Sequence, residues 1–284
     1  MMTIKRITLL CCTALTLTST APVAAQEVSD SIEEILLVDG SRLYGVLLDD
    51  SDPIHVRLLG GDEMLIARAR VRGISPARGQ VRDGEFWRDD PNLTRLFFAP
   101  TARTMPKGKG YVAAYELLFP FVAVAVTNSL LVAAGTPLFG NLDEERVVYL
   151  APKLGLYSNG LTDFAIGGFF FHEVGNSFSG LEYGALYGVL TRGTPDRAVL
   201  LAAGAVYDED GFRDEAIVML GAEMRVSRTI KLITENYFTS DRSLSSIGVR
   251  FFGERLSADL GVALFVDEGD VSPTLPIVNF VRVW

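Results

Sequence analysis

The residues of this chain best suited to covalent chemistry lie in the stretch FFFHEVGNSFSGLEY, which contains His172, Ser177, Ser179 and Glu182. A histidine near serine hydroxyls and a carboxylate is the combination that activates an oxygen nucleophile for acyl transfer. The same residue types also fit a histidine without a catalytic role beside a polar loop. The pattern leaves both interpretations open at this point.

A second group consists of charged residues that interrupt apolar segments and alternate with their apolar positions. They are of both signs, whereas a selective pore more often carries a ring of one sign. Charges inside a narrow lumen must be paired or hydrated. We therefore expect a salt-bridged interior that stiffens and obstructs the structure, with a selective pore as the alternative. The residues are Glu116, Lys153, Glu182, Glu223, Arg225, Lys231, Glu235, Arg250 and Asp259.

The spacing of the residues indicates neither a metal site nor a cofactor site. The only cysteines, Cys11 and Cys12, are adjacent near the N-terminus, and the two histidines, His55 and His172, are far apart in sequence. No glycine-rich phosphate loop follows a strand-like segment. We expect no metal and no cofactor.

The elements that must position these charges are strands with a period of two. In Val147–Tyr157, Glu215–Val226 and Arg255–Val266, one face is apolar and the other carries glycine or charge. Apolar residues facing out and polar or small residues facing in are typical of transmembrane β-strands of about 9–11 residues. A soluble β-sandwich also alternates, but its polar face is rarely so rich in glycine. The pattern favours an all-β fold with an antiparallel transmembrane barrel over residues 93–284.

The connections between the strand-like segments give an independent indication. Twelve segments can be drawn from Thr94 onward, starting with one that ends before the Thr104–Lys109 connection, and the odd-numbered connections are mostly longer than the even-numbered ones. Outer-membrane barrels have long external loops and short periplasmic turns. A barrel of about 12 strands would then have both chain ends in the periplasm.

One segment permits a different interpretation. Residues 117–139 carry no charge and are long enough for a membrane helix. Thr127, Asn128 and Ser129 interrupt the segment at its centre, and Pro120 and Pro137 flank it. We therefore predict a β-hairpin here, with the helix as the alternative.

The N-terminal region is predicted to be a cleaved leader followed by a small domain. Lys5 and Arg6 precede a short apolar run that ends in small residues, which predicts a signal peptide over 1–25. A membrane anchor and a lipoprotein modified at a cysteine are the alternatives. Asp-Gly and Gly-Gly turns between short apolar alternations predict a β domain over 26–75. Proline, glycine and charged residues over 76–92 predict a linker, in which Trp87 either anchors at the membrane interface or packs on the small domain.

Net charge excludes one further class of function. The chain carries −9, and removal of Lys5 and Arg6 makes the mature charge more negative. A general nucleic-acid binder presents a basic face, so no nucleic-acid partner is expected.

Several of these segments resemble known groups of proteins. The order VDGSRLYGVLLDD and IHVRLLGGDEMLIARARVRGI resembles Sm/SH3-like barrels, which implies a periplasmic domain that binds a protein or peptide or supports assembly, with a structural cap as the alternative. The run PIVNFVRVW ends in Trp284 and resembles the signal read by the barrel-assembly machinery, although Arg282 departs from the usual apolar residue. The region from DPNLTRLFFAP to GVRFFGERLSADLGVAL resembles uncharacterised outer-membrane β-barrel proteins, which implies contact with outer-membrane lipid.

The histidine segment is similar to the lipid A deacylases, in which a serine nucleophile follows the histidine by two positions. Val174 occupies that position here, so the resemblance lacks its nucleophile. We expect no enzyme, with a lipid acyl hydrolase as a minor alternative. The main expectation is a structural or binding barrel of the outer membrane with a periplasmic interaction domain, and the alternative is a small passive channel.

Overall fold

A computed structural model describes residues 31–138, 146–174, 183–267, 270–271 and 275–284. The chain divides into two compact units, one of which contains Ala77–Trp284, while the other contains most of the preceding five-stranded sheet. The predicted leader, residues 1–25, lies outside the described residues. Within those residues, no helix is both long and apolar enough to cross a membrane.

The small unit is built on a sheet of order β4-β3-β2-β1-β5. Ile35, Ile54 and Val56 are fully buried on its inner face. The predicted turn at Asp39 and Gly40 joins β1 to β2, and Gly40 has a φ of 87°. Hydrogen bonds from the hydroxyl and backbone N–H of Ser41 lower the pKa of Asp39 and stabilise this turn. The strands are β1 (Ile32–Leu37), β2 (Arg42–Asp49), β3 (Ile54–Leu58), β4 (Glu63–Ile66) and β5 (Val71–Pro76), with a 3-10 turn at Arg68–Arg70.

The large unit is a closed antiparallel barrel of 12 strands. Each strand pairs with its neighbours along the chain, and the last strand, β20, pairs with the first, β8. The short strand β19 (Asp270–Val271) pairs with β18 beside the closed sheet. The barrel strands are β8 (Gly110–Tyr115), β9 (Phe119–Ala125), β10 (Leu130–Gly135), β11 (Arg146–Ser158), β12 (Thr162–Val174), β13 (Tyr183–Thr194), β14 (Arg197–Asp208), β15 (Gly211–Ser227), β16 (Ile230–Phe238), β17 (Arg242–Phe252), β18 (Leu256–Asp267) and β20 (Leu275–Val283).

Alternation along the strands separates an apolar exterior from a polar interior. On β11, Leu150 and Leu154 are exposed while Lys153 between them is buried. On β18, Leu260 is exposed and Asp259 is buried. An isolated charge is costly in hydrocarbon, so this arrangement suits a cylinder whose outer surface meets lipid.

The two ends of the barrel differ in the length of their connections. At one end, here called the turn end, the five connections between strands contain two to four residues. The longest connections, residues 136–145, 175–182 and 268–274, are all at the opposite end, here called the loop end. Both the start of β8 and the end of β20 lie at the turn end.

The structure differs from the sequence prediction at the start of the barrel. The stretch from Thr94 to the Thr104–Lys109 connection was predicted to be the first barrel strand, but it forms no strand and lies inside the barrel. The first strands are instead the hairpin of β8 and β9, joined at Glu116 and Leu117, whose φ angles of 49° and 59° make a tight turn. The predicted strand before Thr104 is absent, and the predicted strand after Lys109 is split into β8 and β9. The predicted count of about twelve is therefore still confirmed.

Two further segments can now be compared with their predictions. The helix alternative for residues 117–139 is wrong, because β9 and β10 pair there as an antiparallel hairpin. The predicted linker over 76–92 contains a second hairpin, β6 (Gly79–Arg82) with β7 (Glu85–Arg88). At the C-terminus, the backbone N–H of Trp284 donates to Gly110 O at 3.1 Å and extends the closure of the barrel by one bond.

Candidate functional site: a segment inside the barrel lumen

The interior of the barrel is occupied at its turn end by residues 90–103, here called the plug. Leu96, Phe97 and Thr101 are fully buried although they belong to no strand. A tight turn closed by Leu96 N–H donating to Ala99 O at 2.9 Å folds the segment back on itself. Few of its backbone groups pair within the segment, so side chains of the barrel wall must satisfy the others.

Arg250 on β17 makes the largest set of contacts with the plug. Its guanidinium forms a two-bond ion pair with Asp259 on the neighbouring strand, at 2.7 and 3.0 Å. The same group donates to Leu96 O at 2.7 Å and to Asn92 O at 2.8 Å, and lies 3.3 Å from the carboxylate of Asp90. With a further bond to Arg95 O at 3.2 Å, Arg250 joins two barrel strands to four positions of the plug.

A chain of ion pairs continues from Asp90 across the wall. Lys231 Nζ lies 2.8 Å from the Asp90 carboxylate and 3.0 Å from Glu223. Glu223 in turn pairs with Arg103 at the other end of the plug, and Arg103 donates to Thr194 O at 2.8 Å. Each charge in this chain faces an opposite charge, which is the condition for keeping ions in a low-dielectric interior.

Two more wall residues bind the plug backbone directly. Glu235 on β16 accepts hydrogen bonds from the consecutive N–H groups of Phe97, Phe98 and Ala99, the shortest at 2.9 Å. Lys153 on β11 donates to three plug carbonyls, those of Thr94, Thr101 and Arg103, at 2.7–3.1 Å. An anion therefore satisfies plug donors and a cation satisfies plug acceptors.

Glycines on the inner face make room for the plug. A Cβ atom at Gly221 on β15 would overlap Leu96 Cδ1, and one at Gly155 would come to 3.0 Å from Thr104. At these two positions of the inner face, glycine is needed because an internal segment of the chain approaches the wall closely.

This close approach gives the first prediction. Gly221→Ala is expected to destabilise the protein by about 1–3 kcal/mol, because Leu96 is fully buried and must shift to admit a methyl group. Gly188→Ala is the matched control, since its Cβ would lie 3.7 Å from Phe164 in ordinary contact. Urea unfolding of both variants in the same lipid environment measures the difference, and equal midpoints would show that the plug does not pack against Gly221.

The structure brings together most, but not all, of the charged residues selected from the sequence. Arg225 lies at the turn end, where it pairs with Asp196 at 2.9 Å. Glu116 lies at the loop end and accepts a hydrogen bond from Val278 N–H at 3.3 Å. Glu182 lies outside the described residues. The six that contact the plug or its partners directly are Lys153, Glu223, Lys231, Glu235, Arg250 and Asp259.

The hairpin before the plug contacts the barrel at the turn end. Arg82 and Gln80 on β6 both bind the carboxylate of Asp196 in the β13–β14 turn. Trp87 on β7 lies between two guanidinium groups, with Arg82 at 4.8 Å and Arg225 at 5.0 Å from its ring centre. Trp87 therefore packs against charged groups of the barrel end, an arrangement not foreseen from the sequence.

The other half of the lumen, toward the loop end, contains a cavity of about 830 Å³. Its wall is largely aromatic and aliphatic. Four plug residues, Arg95, Phe98, Ala99 and Pro100, line the cavity, and so does Tyr115 at the end of β8. The lumen is thus divided into a half filled by the plug, through ion pairs and an apolar cluster around Leu96 and Phe97, and an apolar, partly empty half.

The histidine segment shows no assembled catalytic group in the described residues. His172 pairs in register with Val148 on β11, whose side chain faces outward. Ser177, Ser179 and Glu182 lie outside the described residues. The described residues also contain no group of three or more histidine, cysteine or acidic side chains that could hold a metal ion.

Comparison with known proteins gives similarity of fold only. No protein-family profile and no curated protein sequence matches the chain. Among solved structures, the KdgM porin has a TM-score of 0.42 at 11% identity over 61% of this chain and 96% of its own. OccK11 (OpdR) of Pseudomonas aeruginosa has a TM-score of 0.37 at 11% identity over 85% and 84%. OccAB3 of Acinetobacter baumannii has a TM-score of 0.38 at 9% identity over 86% and 74%.

Fold and surface together define the class of this protein. A closed 12-strand antiparallel barrel with an apolar exterior is the architecture of an outer-membrane-type transmembrane β-barrel. In the described part of this chain, half of the barrel interior is filled by a plug that belongs to the same polypeptide.

Proposed function

We propose that the protein is an outer-membrane channel that is closed at rest by residues 90–103. The observation that supports this is the plug itself, which fills the turn-end half of the lumen through ion pairs and backbone hydrogen bonds. A permanent structural filler can be apolar, whereas polar contacts exchange readily with water when the segment leaves. This channel differs from the passive channel considered in the sequence analysis in that its lumen is closed at rest.

Orientation follows from the connections. Short turns face the periplasm and long loops face outward in barrels of this kind. We place the turn end in the periplasm, together with the N-terminal domain, which precedes the plug in sequence. In this arrangement, binding of a periplasmic protein or peptide to the small domain acts on the plug through residues 77–89.

A cysteine pair that holds the plug to the wall tests the proposal. Thr191 Oγ1 accepts a hydrogen bond from the Ala102 N–H at 2.9 Å, which places the two Cα atoms within the roughly 7 Å that a disulfide can span. Both native cysteines lie in the predicted leader, so Ala102→Cys/Thr191→Cys would be the only pair in the processed chain. We expect the oxidised protein to stay silent in planar bilayers at sub-denaturing urea, and the reduced protein to conduct.

The single variant Ala102→Cys, treated with the same oxidant, is the control and is expected to conduct like the reduced pair. Equal conductance of the oxidised and reduced pair would overturn the closed channel. Silence in both states under conditions that displace the plug would favour the second candidate, a structural or binding barrel that never opens. That candidate rests on the density of buried ion pairs around Asp90 and Arg250.

A further inference from the structure

The apolar cavity at the loop end contains a buried cation without a nearby carboxylate. Arg95, only 8% exposed, lines this cavity and stacks on two of its rings, with its guanidinium carbon 5.2 Å from the centre of Phe121 and 5.8 Å from that of Phe169. It donates hydrogen bonds to Tyr111 Oη at 3.2 Å and to Phe98 O at 3.1 Å. Both acceptors are neutral.

Three of the four other deeply buried cations of the lumen differ in this respect, and the fourth, Lys153, has its three N–H donors on plug carbonyls. Arg250 and Lys231 each form ion pairs with two carboxylates, and Arg103 pairs with Glu223. No carboxylate of the described chain lies within ion-pair distance of Arg95. A buried charge left without a counter-ion is costly, so its retention needs a reason.

A second polar group in the cavity also has an unused hydrogen bond. Tyr115 is 5% exposed, and its hydroxyl makes no hydrogen bond with the described part of the chain. Its ring is held by edge-on contacts with Phe98 and Phe121, at 5.8 and 4.9 Å between ring centres. Buried hydroxyls are nearly always paired, so this one is free to donate to a bound molecule.

We propose that the cavity binds an apolar molecule that carries one carboxylate. The carboxylate accepts hydrogen bonds from the Arg95 guanidinium and the Tyr115 hydroxyl, and the apolar body packs among the rings of Phe121, Tyr149 and Phe169. This inference deepens the proposed function, because it rests on the lumen being a path and names the class of molecule that enters it.

The rest of the cavity agrees with a single negative charge. Among the described residues, the only other charged one in its lining is Glu116 at the loop-end rim, whose carboxylate accepts from Val278 N–H. This acidic group would repel a second carboxylate at the mouth. The volume of about 830 Å³ falls in the range that holds a drug-sized molecule with most of its surface buried.

A pair of probes of nearly the same shape, one anionic and one neutral, tests the inference. Binding of 2-naphthoate and of neutral 2-naphthamide is measured by equilibrium dialysis with the full chain in lipid nanodiscs, with empty nanodiscs subtracted. We expect naphthoate to bind at least about tenfold more tightly, as charge-assisted hydrogen bonds confer this much. Equal binding of the two probes, or binding of neither, would overturn the inference.

Variants locate the preference at the two polar groups. Tyr115→Phe keeps the ring and removes one hydroxyl, and is expected to weaken naphthoate binding roughly threefold to tenfold without changing naphthamide binding. Arg95→Gln is expected to abolish the preference for the anion. Arg242→Gln, which removes an exposed arginine paired with Asp267, is the control and should leave both probes unchanged. A preference that survives in both Arg95→Gln and Tyr115→Phe would place the carboxylate elsewhere and contradict the proposal.

The probe-binding test and the conductance test of the channel can fail independently of each other. Naphthoate selectivity in a protein that never conducts would leave the binding site standing and remove the channel. Conductance controlled by the plug, with no selectivity between the probes, would leave the channel standing and remove the carboxylate site.

Discussion

Replacing Arg250 by leucine is expected to destabilise the protein by roughly 3–5 kcal/mol and to produce conductance in a barrel that is otherwise silent. The substitution leaves the carboxylates of Asp259 and Asp90 without this cation, and it removes the donors to Leu96 O and Asn92 O. The plug then loses its main contact with β17, while the apolar exterior of the barrel is unchanged. Urea unfolding and planar-bilayer recordings measure the two effects.

The double variant Arg250→Leu/Asp259→Leu separates folding from plug binding. It removes both members of the ion pair, so no carboxylate of β18 is left buried and alone. We expect it to be more stable than Arg250→Leu and still to conduct, because the contacts with plug carbonyls are lost in both.

Arg242→Leu is the matched control for a simple loss of charge. Arg242 lies on β17, the strand that carries Arg250, and pairs with Asp267 of β18 at 3.1 Å. Both side chains are largely exposed. Exposed pairs contribute about 0–1 kcal/mol, so little change is expected. If Arg250→Leu were as stable and as silent as Arg242→Leu, the buried contacts of Arg250 would not hold the plug.

The barrel could be predicted from the sequence because strand alternation is a local signal. In a closed sheet the parity of a residue decides whether it faces lipid or lumen, and Lys153, Glu223 and Asp259 therefore show their inward position directly in the sequence. The exposed leucines that flank them carry the same information for the outer face. Most strand positions follow from this pattern, whereas the predicted count of about twelve agrees with the structure because one absent strand is offset by one split strand.

The plug could not be predicted in the same way, because its residues have two misleading local patterns. Asp90 and Pro91 belong to a charged, proline-containing stretch that is typical of a linker, and Leu96-Phe97-Phe98 is an apolar run that is typical of a strand. An irregular segment can be buried only where side chains of the surrounding wall satisfy its backbone. That condition depends on long-range contacts such as those of Glu235 and Lys153, which sequence periodicity does not contain.

One signal in the sequence could have indicated an internal segment. Gly221 lies on the inward face of a strand whose neighbouring inward residue is Glu223, so a small residue stands next to a buried charge. A lumen filled by wall side chains alone favours large residues at such positions. A small inward residue beside a charge therefore indicates space reserved for another part of the chain.

Glu235→Gln is expected to have the second largest effect, concentrated at one turn of the plug. The carboxylate of Glu235 accepts from three consecutive backbone N–H groups, at Phe97, Phe98 and Ala99, and from the Tyr237 hydroxyl at 2.7 Å. A carboxylate has acceptor sites for all four donors, whereas the glutamine amide offers one acceptor oxygen and places its own N–H donors among them. Loss of charge-assisted bonds of this kind costs about 1.5–3 kcal/mol each, so we expect a loss of at least that size.

Hydrogen exchange distinguishes this local effect from a general loosening of the barrel. In Glu235→Gln, the amides of Phe97, Phe98 and Ala99 are expected to exchange at least about tenfold faster, while Ile166 on β12, whose side chain faces outward, keeps its protection. Tyr237→Phe removes one donor but leaves the carboxylate on the three plug amides, so their exchange should change much less. Unchanged exchange at the three amides in Glu235→Gln would mean that the carboxylate does not hold the plug. The turn-end half of the lumen would then be closed by the remaining contacts, such as those of Lys153, Lys231 and Arg250.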